Sequence, residues 1–217
     1  MLDVYPGSLA RGENTSTSDL LDYDSSSGQP FLTNNADLGK VSYGNPFPPS
    51  SWPLFDAYSW VSYALYVAPG ATNPAAINAQ ATGYNTSLPT ASSPIKPLVG
   101  VVTNPTISGV NFFSDQIGVG LTPTLKWSPP ALGKATYYDV LVFQLSNDSG
   151  NTDTAKIASI RTAGTTLSIP QGLLASGFGY VFLIRPWYAP GTNFAKYPYV
   201  LGPTFAIADV MSGLVQP

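Results

Sequence analysis

The sequence predicts an all-β fold, and three observations carry that prediction. Charged residues make up only 10% of the chain, with six lysines and a single glutamate, Glu13. The residues that normally furnish the wet face of a helix are therefore scarce. Their place is taken by 23 Ser, 19 Thr and 12 Asn, beside 20 Gly, 21 Pro and 13 Tyr. Thr and Tyr favour strands, and Gly, Pro and Asn favour the turns between them. The third observation is a set of short runs with a period of two, each bounded by turn residues. At 217 residues and 44% hydrophobic content, the chain can bury the core of one large domain or two small ones.

The elements follow in order. Residues 1–30 are polar and turn-rich, with a short strand at 20–23. A strand at 41–43 leads into a loop in which Pro46, Pro48, Pro49 and Pro53 forbid helix and Phe47 and Trp52 act as anchors. Residues 58–67 are the strongest strand of this half. One face carries Val61, Tyr63, Leu65 and Val67, the other Trp60, Ser62, Ala64 and Tyr66. Ala68, Pro69 and Gly70 turn the chain. An Ala/Asn/Thr-rich stretch of low complexity reaches residue 88, and 86–97, with Pro89, Pro94 and Pro97, reads as a linker or crossover. Strands are then expected at 98–102, 122–127, 136–145, 157–160, 165–169, 180–187 and 204–208, with a polar turn at 147–153. Seven short strands with regular turn signals describe a β-sandwich. The expected organisation is a β-rich N-terminal region, 1–96, packed against a sandwich at 97–217. Residues 66–73 and 187–193 echo one another around Ala-Pro-Gly, through shared turn chemistry or through a second, diverged sandwich in 1–90.

Three motifs in the second half bear on family. Trp127 lies in a strand-like run, 124–130, that ends in Pro129 and Pro130. Tyr138, Val140 and Val142 alternate along the next strand. Leu174, Gly177, Tyr180, Phe182 and Ile184 form a spaced run into a later one. On these residues the segment from about 97 to 212 resembles a fibronectin type III-like domain of bacterial surface and secreted proteins. The resemblance implies that Trp127 is the core tryptophan of the second strand. It also implies that the Tyr180 hydroxyl bonds backbone upstream of it, as in a tyrosine corner. Ser176 stands where that family often has proline, and 111–120 is an extra loop between the first two strands. A binding, adhesion or spacer role is what the resemblance implies, since a fold does not fix a function.

Composition narrows the chemistry. With no His and no Cys, the chain cannot assemble a Ser-His-Asp triad, a Cys-His pair or a metal site built on imidazole or thiolate. The single Glu leaves few carboxylate pairs for glycoside hydrolysis. Ser93 and Lys96 have dyad spacing, but Pro94 and Pro97 argue against the helix that would put them on one face. The expectation is a protein that is not an enzyme and has no cofactor. A net charge of −3 and a pI near 4.6 give no footprint for nucleic acid, and no apolar run reaches the length of a membrane span. Residues 1–3 lack the basic and apolar regions of a signal peptide, so an exported chain would be a mature form or a fragment. Absence of cysteine in a Ser/Thr/Asn-rich chain points to a bacterial extracellular or cell-surface setting.

Two kinds of binding site are weighed. Asp22, Asp24 and Ser26 offer hard oxygens at alternate positions, a weak calcium candidate. The cluster at 147–153 is a second such candidate, and Asx-rich turns capping their own backbone are the plainer account of both. Trp52, Tyr58, Trp60, Tyr66, Trp187, Tyr188, Tyr197 and Tyr199 could stack on sugar rings, though aromatics are also ordinary core residues of strands. The sharper expectation concerns a face. If Tyr138, Val140, Val142, Tyr180, Phe182 and Ile184 point into the sandwich, alternation turns Leu141, Phe143, Leu145, Val181, Leu183 and Trp187 outward. Strands apolar on both faces are covered on both. These six are the candidate interface, to be covered by the N-terminal region through Val61, Tyr63, Leu65 and Val67, by a second subunit, or by another protein. The expected function is a non-catalytic extracellular module for adhesion, spacing or assembly. The alternatives are a carbohydrate-binding appendage of a secreted enzyme and a subunit of an extracellular filament or surface layer.

Overall fold

The computed structural model describes residues 2–6, 20–23, 42, 44, 46, 54–86, 95–196 and 204–217. Among them there is no helix, and the fold is all-β. The strands are β1 (Leu2–Pro6), β2 (Leu21–Tyr23), β3 (Leu54–Tyr66), β4 (Ala75–Asn85), β5 (Thr103–Ile107), β6 (Val110–Asn111), β7 (Gln116–Ile117), β8 (Thr124–Ser128), β9 (Tyr137–Asp148), β10 (Asn151–Thr162), β11 (Thr166–Ser168), β12 (Gly179–Tyr188), β13 (Phe205–Ala208), β14 (Val210–Met211) and β15 (Val215–Gln216). The chain forms two compact units. One comprises Met1–Trp60, Thr82–Pro97 and Ala189–Ala206; the other comprises Val61–Ala81, Leu98–Tyr188 and Ile207–Pro217.

The second unit is sandwich-like. In one sheet β9 lies between β10 and β12, antiparallel to both, and β12 is further paired by β14 and β15. The other sheet has the order β11-β8-β5-β6. Because strand side chains alternate, each sheet sends every second residue inward. Ile107, Phe112, Leu125, Trp127 and Ile169 meet Tyr138, Val140, Val142, Tyr180, Phe182 and Ile184 in one buried cluster. The Trp127 ring lies 5.4 Å from that of Tyr138, edge to face, and its indole Nε1 has no hydrogen-bond partner among the described residues. The Tyr180 hydroxyl accepts from the Ala175 N–H at 2.8 Å and from Gln144 Nε2 at 3.1 Å, and donates to the Ala175 carbonyl at 3.3 Å.

Several elements differ from expectation. Residues 98–102 form no strand. Val99 and Val102 are buried, yet Gly100 bonds the Leu132 carbonyl, and Gly133 passes so close to Leu98 that any side chain there would overlap it. The ladder begins instead at Thr103, and Asn104 takes a positive φ of 49°. The 111–120 loop holds β7, which pairs in parallel with β15. Gly213, just before β15, lies within overlap distance of the Ser114 backbone. The polar run at 147–153 is mostly strand, closed by Ser149 and Gly150, both at positive φ, in a two-residue hairpin turn. The Ala/Asn/Thr stretch contains β4, a strand of weak intrinsic preference on which Ile77 and Ala79 are buried.

In the first unit β1 pairs antiparallel with β2 and with β3, Leu2 opposite Tyr58 and Pro6 opposite Leu54. Val4, Phe55 and Ala57 are buried, with Tyr84 packed on the last two. The Tyr84 and Phe205 rings lie 4.7 Å apart. Gly83 sits under the Tyr58 ring, where an added Cβ would overlap it. The two Ala-Pro-Gly turns share one geometry: Ala71 N–H bonds the Ala68 carbonyl, Thr192 N–H bonds that of Ala189, and Gly70 and Gly191 have φ of 77° and 74°. Of the expected strand at 41–43 only Ser42 is described, exposed and in no strand; Trp52 and Ser93 lie outside the described residues.

Trp127→Ala should cost the second unit about 3–5 kcal/mol, because the cavity cannot close between two sheets. Trp127→Phe should cost clearly less, since it also removes the unsatisfied donor. Tyr180→Phe should cost about 1–2 kcal/mol through lost hydrogen bonds. Urea unfolding monitored by circular dichroism ranks the three, and equal midpoints for Trp127→Ala and the natural chain would refute this packing.

Candidate functional site

The outward face of β9 and β12 is apolar. The register sets Leu141 opposite Leu183 and Phe143 opposite Val181. Within the second unit the chain covers this face itself. Leu145 and Val181 pack with Ala68 and Ile77, flanked by Tyr66, Ala71, Phe143, Met211 and Leu214. Leu141 and Leu183 pack with Ala79. Trp187 is half-buried; its ring stacks on Tyr137 at 5.5 Å and 11°, and its Nε1 donates to Asp139 at 3.0 Å.

The covering hairpin uses the face opposite to the one expected. Val61, Tyr63, Leu65 and Val67 point to solvent, 59, 70, 61 and 41% exposed. The inward residues are Tyr66, Ala68, Ile77 and Ala79, whose smaller members let the backbone approach closely. Two turns lock that choice. Thr72 and Asn73 N–H groups bond the Gly150 carbonyl at 2.9 and 3.0 Å, and Thr152 N–H bonds the Asn73 carbonyl at 3.0 Å. Asn147 Nδ2 donates to the Gly70 carbonyl at 2.7 Å, and Ala68 N–H donates to Thr152 Oγ1 at 2.9 Å. With the turns joined, alternation along β3 leaves no freedom as to which face looks inward.

What remains is an exposed apolar row on a strand edge. Among the described residues β1 pairs β3 from Leu54 to Tyr58. Residues 61–66 have β4 on one side and, among the described residues, no strand on the other. Natural edge strands usually carry charges, prolines or bulges. β3 has no proline, and from Ala57 to Ile95 there is no Asp, Glu, Lys or Arg.

The polar groups nearby are closed on one another. Asp139, buried in β9, accepts from Arg161 Nε and Nη2 at 2.9 and 3.1 Å, and Arg161 lies 4.3 Å over the Tyr137 ring. Burial raises the Tyr137 phenol, the Arg161 charge opposing part of that rise. Arg185 binds Asp209 through two contacts of 2.7 Å, and Asp209 also accepts the Gln80 N–H at 3.0 Å. In the 147–153 cluster, Asn147 Oδ1 accepts the Gly150 N–H and Asp153 Oδ1 that of Thr154. These oxygens cap their own turn. Among the described residues no three acidic, His or Cys side chains converge on one point. Asp24 and Ser26 lie outside the described residues, as do Trp52, Tyr197 and Tyr199; of Asp22 only the backbone, in β2, is described. Of the other aromatics weighed for sugars, Tyr66 donates its hydroxyl to the Ser212 carbonyl at 2.7 Å, Tyr58 and Tyr188 are half-buried, and Trp60 is exposed. No described helix is long and apolar enough to cross a membrane.

One titratable group in the first unit is buried without full pairing. Asp56, opposite Val4 in the β1–β3 ladder, is 4% exposed, and its Oδ1 has no hydrogen-bond partner among the described residues. Burial raises its pKa from 3.8 to about 6, a backbone hydrogen bond pulling the other way. Folded Asp56 thus holds its proton more tightly than unfolded Asp56, so its effect on stability is harmless in acid and worsens as pH rises from about 4 to 6. Asp56→Asn should therefore match the natural chain near pH 4 and exceed it by about 2 kcal/mol near pH 8. Denaturant titrations at the two pH values check the difference, and a gap independent of pH would refute it.

The chain matches no protein-family model, no curated protein and no solved structure.

Proposed function

We propose that this chain is a non-catalytic extracellular module for adhesion, spacing or assembly, in which a fibronectin type III-like sandwich at about 97–212 serves as scaffold. The observation that carries the reading is the exposed, uncharged row Val61, Tyr63, Leu65 and Val67 on an edge of β3 that no strand pairs among the described residues. Other large apolar side chains are exposed too, Phe113 and Ile117 among them, but these four lie in one row along a strand, and a contiguous exposed apolar patch is an interaction surface by the logic of such patches. An open strand edge adds backbone groups that a partner strand can pair. The sandwich scaffold is supported by Trp127 between the sheets and by the Tyr180 hydroxyl bonded to Ala175. A Ser/Thr/Asn-rich, cysteine-free composition supports a place outside the cell. Adhesion, spacing and assembly all require a rigid body that presents a contact surface. The paired arginines and carboxylates of the second unit suit that role better than they suit acid–base catalysis, which needs a group free to exchange its proton.

Beads coated with the chain should adhere to protein-coated surfaces, and Tyr63→Lys with Leu65→Lys should cut that adhesion about tenfold at an unchanged melting temperature. A glycan array probed with both proteins supplies the opposing outcome. Sugar binding that survives the double substitution, with adhesion unaffected, would replace this reading by the carbohydrate-binding one.

A further inference from the structure

The edge of β3 has a property beyond exposure: it is nearly a palindrome in the terms that matter for strand pairing. Residues 61–67 read Val, Ser, Tyr, Ala, Leu, Tyr, Val. Lay a second copy antiparallel along the open edge with Ala64 opposite Ala64. Val61 then faces Val67, Tyr63 faces Leu65, and Ser62 faces Tyr66, each pair occurring twice about the two-fold axis. Directly opposed residues in an antiparallel pair share a face. The two exposed rows would therefore merge into one patch, with aliphatic–aliphatic and aromatic–aliphatic pairs at every position. An isologous contact needs this kind of self-complementarity.

Three further observations favour a second copy. The segment is free of charge, so a self-pairing brings no like charges together. Next to the apolar row, β4 exposes the small Ala76 and the polar Asn78 while burying Ile77 and Ala79, so no large apolar side chain of β4 extends the merged patch on that side. The area also fits. From their exposures the four side chains present roughly 400 Å² per copy, about half of what one partner contributes to a standard interface, with ladder hydrogen bonds added along the edge. That is the scale of a reversible, concentration-dependent dimer.

Resting on the interaction-surface reading above, we infer that this chain self-associates into a two-fold dimer by antiparallel pairing of β3 with β3 of a second copy, centred on Ala64. Assembly then joins the edges of two molecules, and the β3 row is its contact.

Charge variants test the pairing in the full chain. Sedimentation velocity over a range of concentrations should show a monomer–dimer equilibrium for the natural protein. Tyr63→Lys with Leu65→Lys sets lysine opposite lysine at both positions, and should weaken the dimer about a hundredfold. Tyr63→Glu with Leu65→Glu should do the same. An equimolar mixture of the two variants should recover dimer, which a non-specific loss of hydrophobicity would not do. The cysteine-free chain offers a register test as well. Ala64→Cys brings two thiols directly opposite, within the Cα separation that a disulfide spans, and should cross-link on oxidation. Ser62→Cys, at an exposed position, should not. A chain monomeric at every concentration, or a mixture that fails to recover dimer, overturns the inference. Bead adhesion that persists in a monomeric chain and is lost in the lysine variant would leave the interaction surface standing with another protein as partner. Loss of neither overturns both.

Discussion

The second unit depends on one constraint: β9 and β12 are apolar on both faces. One face fills the sandwich with Tyr138, Val140, Val142, Tyr180, Phe182 and Ile184. The other, Leu141, Leu145, Val181 and Leu183, would be wet in an ordinary two-sheet sandwich. Burying a Leu or Val is worth roughly 1.5–3 kcal/mol per side chain, so leaving four exposed would remove much of a domain's net stability. The chain meets the requirement by laying a hairpin and the 207–217 segment over that face. The close turn contacts, the buried hydroxyl of Ser212 that accepts from Phe182 N–H at 2.9 Å, and the Arg185–Asp209 pair all follow from that requirement.

Covering one face creates the next problem. A hairpin has two faces of its own, and β3 is rich in large apolar residues on both. Small residues went inward because the turn at 68–73 bonds the turn at 147–152, which sets the register. The large residues were left in water. Sandwich stability and surface stickiness are thus two results of one packing choice, and the row on β3 is a part that the second unit does not bury.

Much of this was legible in the sequence. The all-β class followed from composition and alternation, and the inward positions of β9 and β12 from a period of two. Legibility failed where local signal is weak or symmetric. β4 is built from Ala, Asn, Thr and Gly, poor strand formers held by a ladder and by the face they cover, so its sequence reads as low complexity. β6, β7, β14 and β15 are two residues each, too short for a period to register. The first strand was displaced from 98–102 because Val99 and Val102 are buried without ladder bonds, an outcome that hydrophobicity alone cannot separate from a strand. As for the exposed row, Val61, Tyr63, Leu65 and Val67 alternate with Trp60, Ala64 and Tyr66, so both faces qualify as inward. Hydrogen bonds between distant turns decided the matter, and no local pattern encodes those. Asp56 carries no sequence signal at all, since its setting depends on β1, some fifty residues earlier.

The parallel pairing of β7 with β15 also bears on when the protein can fold during its synthesis. Val215 contacts Gln116 across about a hundred residues and bonds β12 as well, and Gly213 slots against Ser114. Until that segment leaves the ribosome, β12 lacks its antiparallel partner there and β7 has nothing to pair with. The core residues Trp127 and Tyr138 emerge much earlier and can collapse, but the sheet cannot be completed. Such long-range closure is slow because loop entropy is lost before contacts compensate, and half-built sheets expose unpaired edges. A nascent chain of this kind would pass through a sticky stage, with the β3 row and the unpaired edge of β12 exposed together. Its cell would gain from a holding chaperone that shields those surfaces until the last strand arrives.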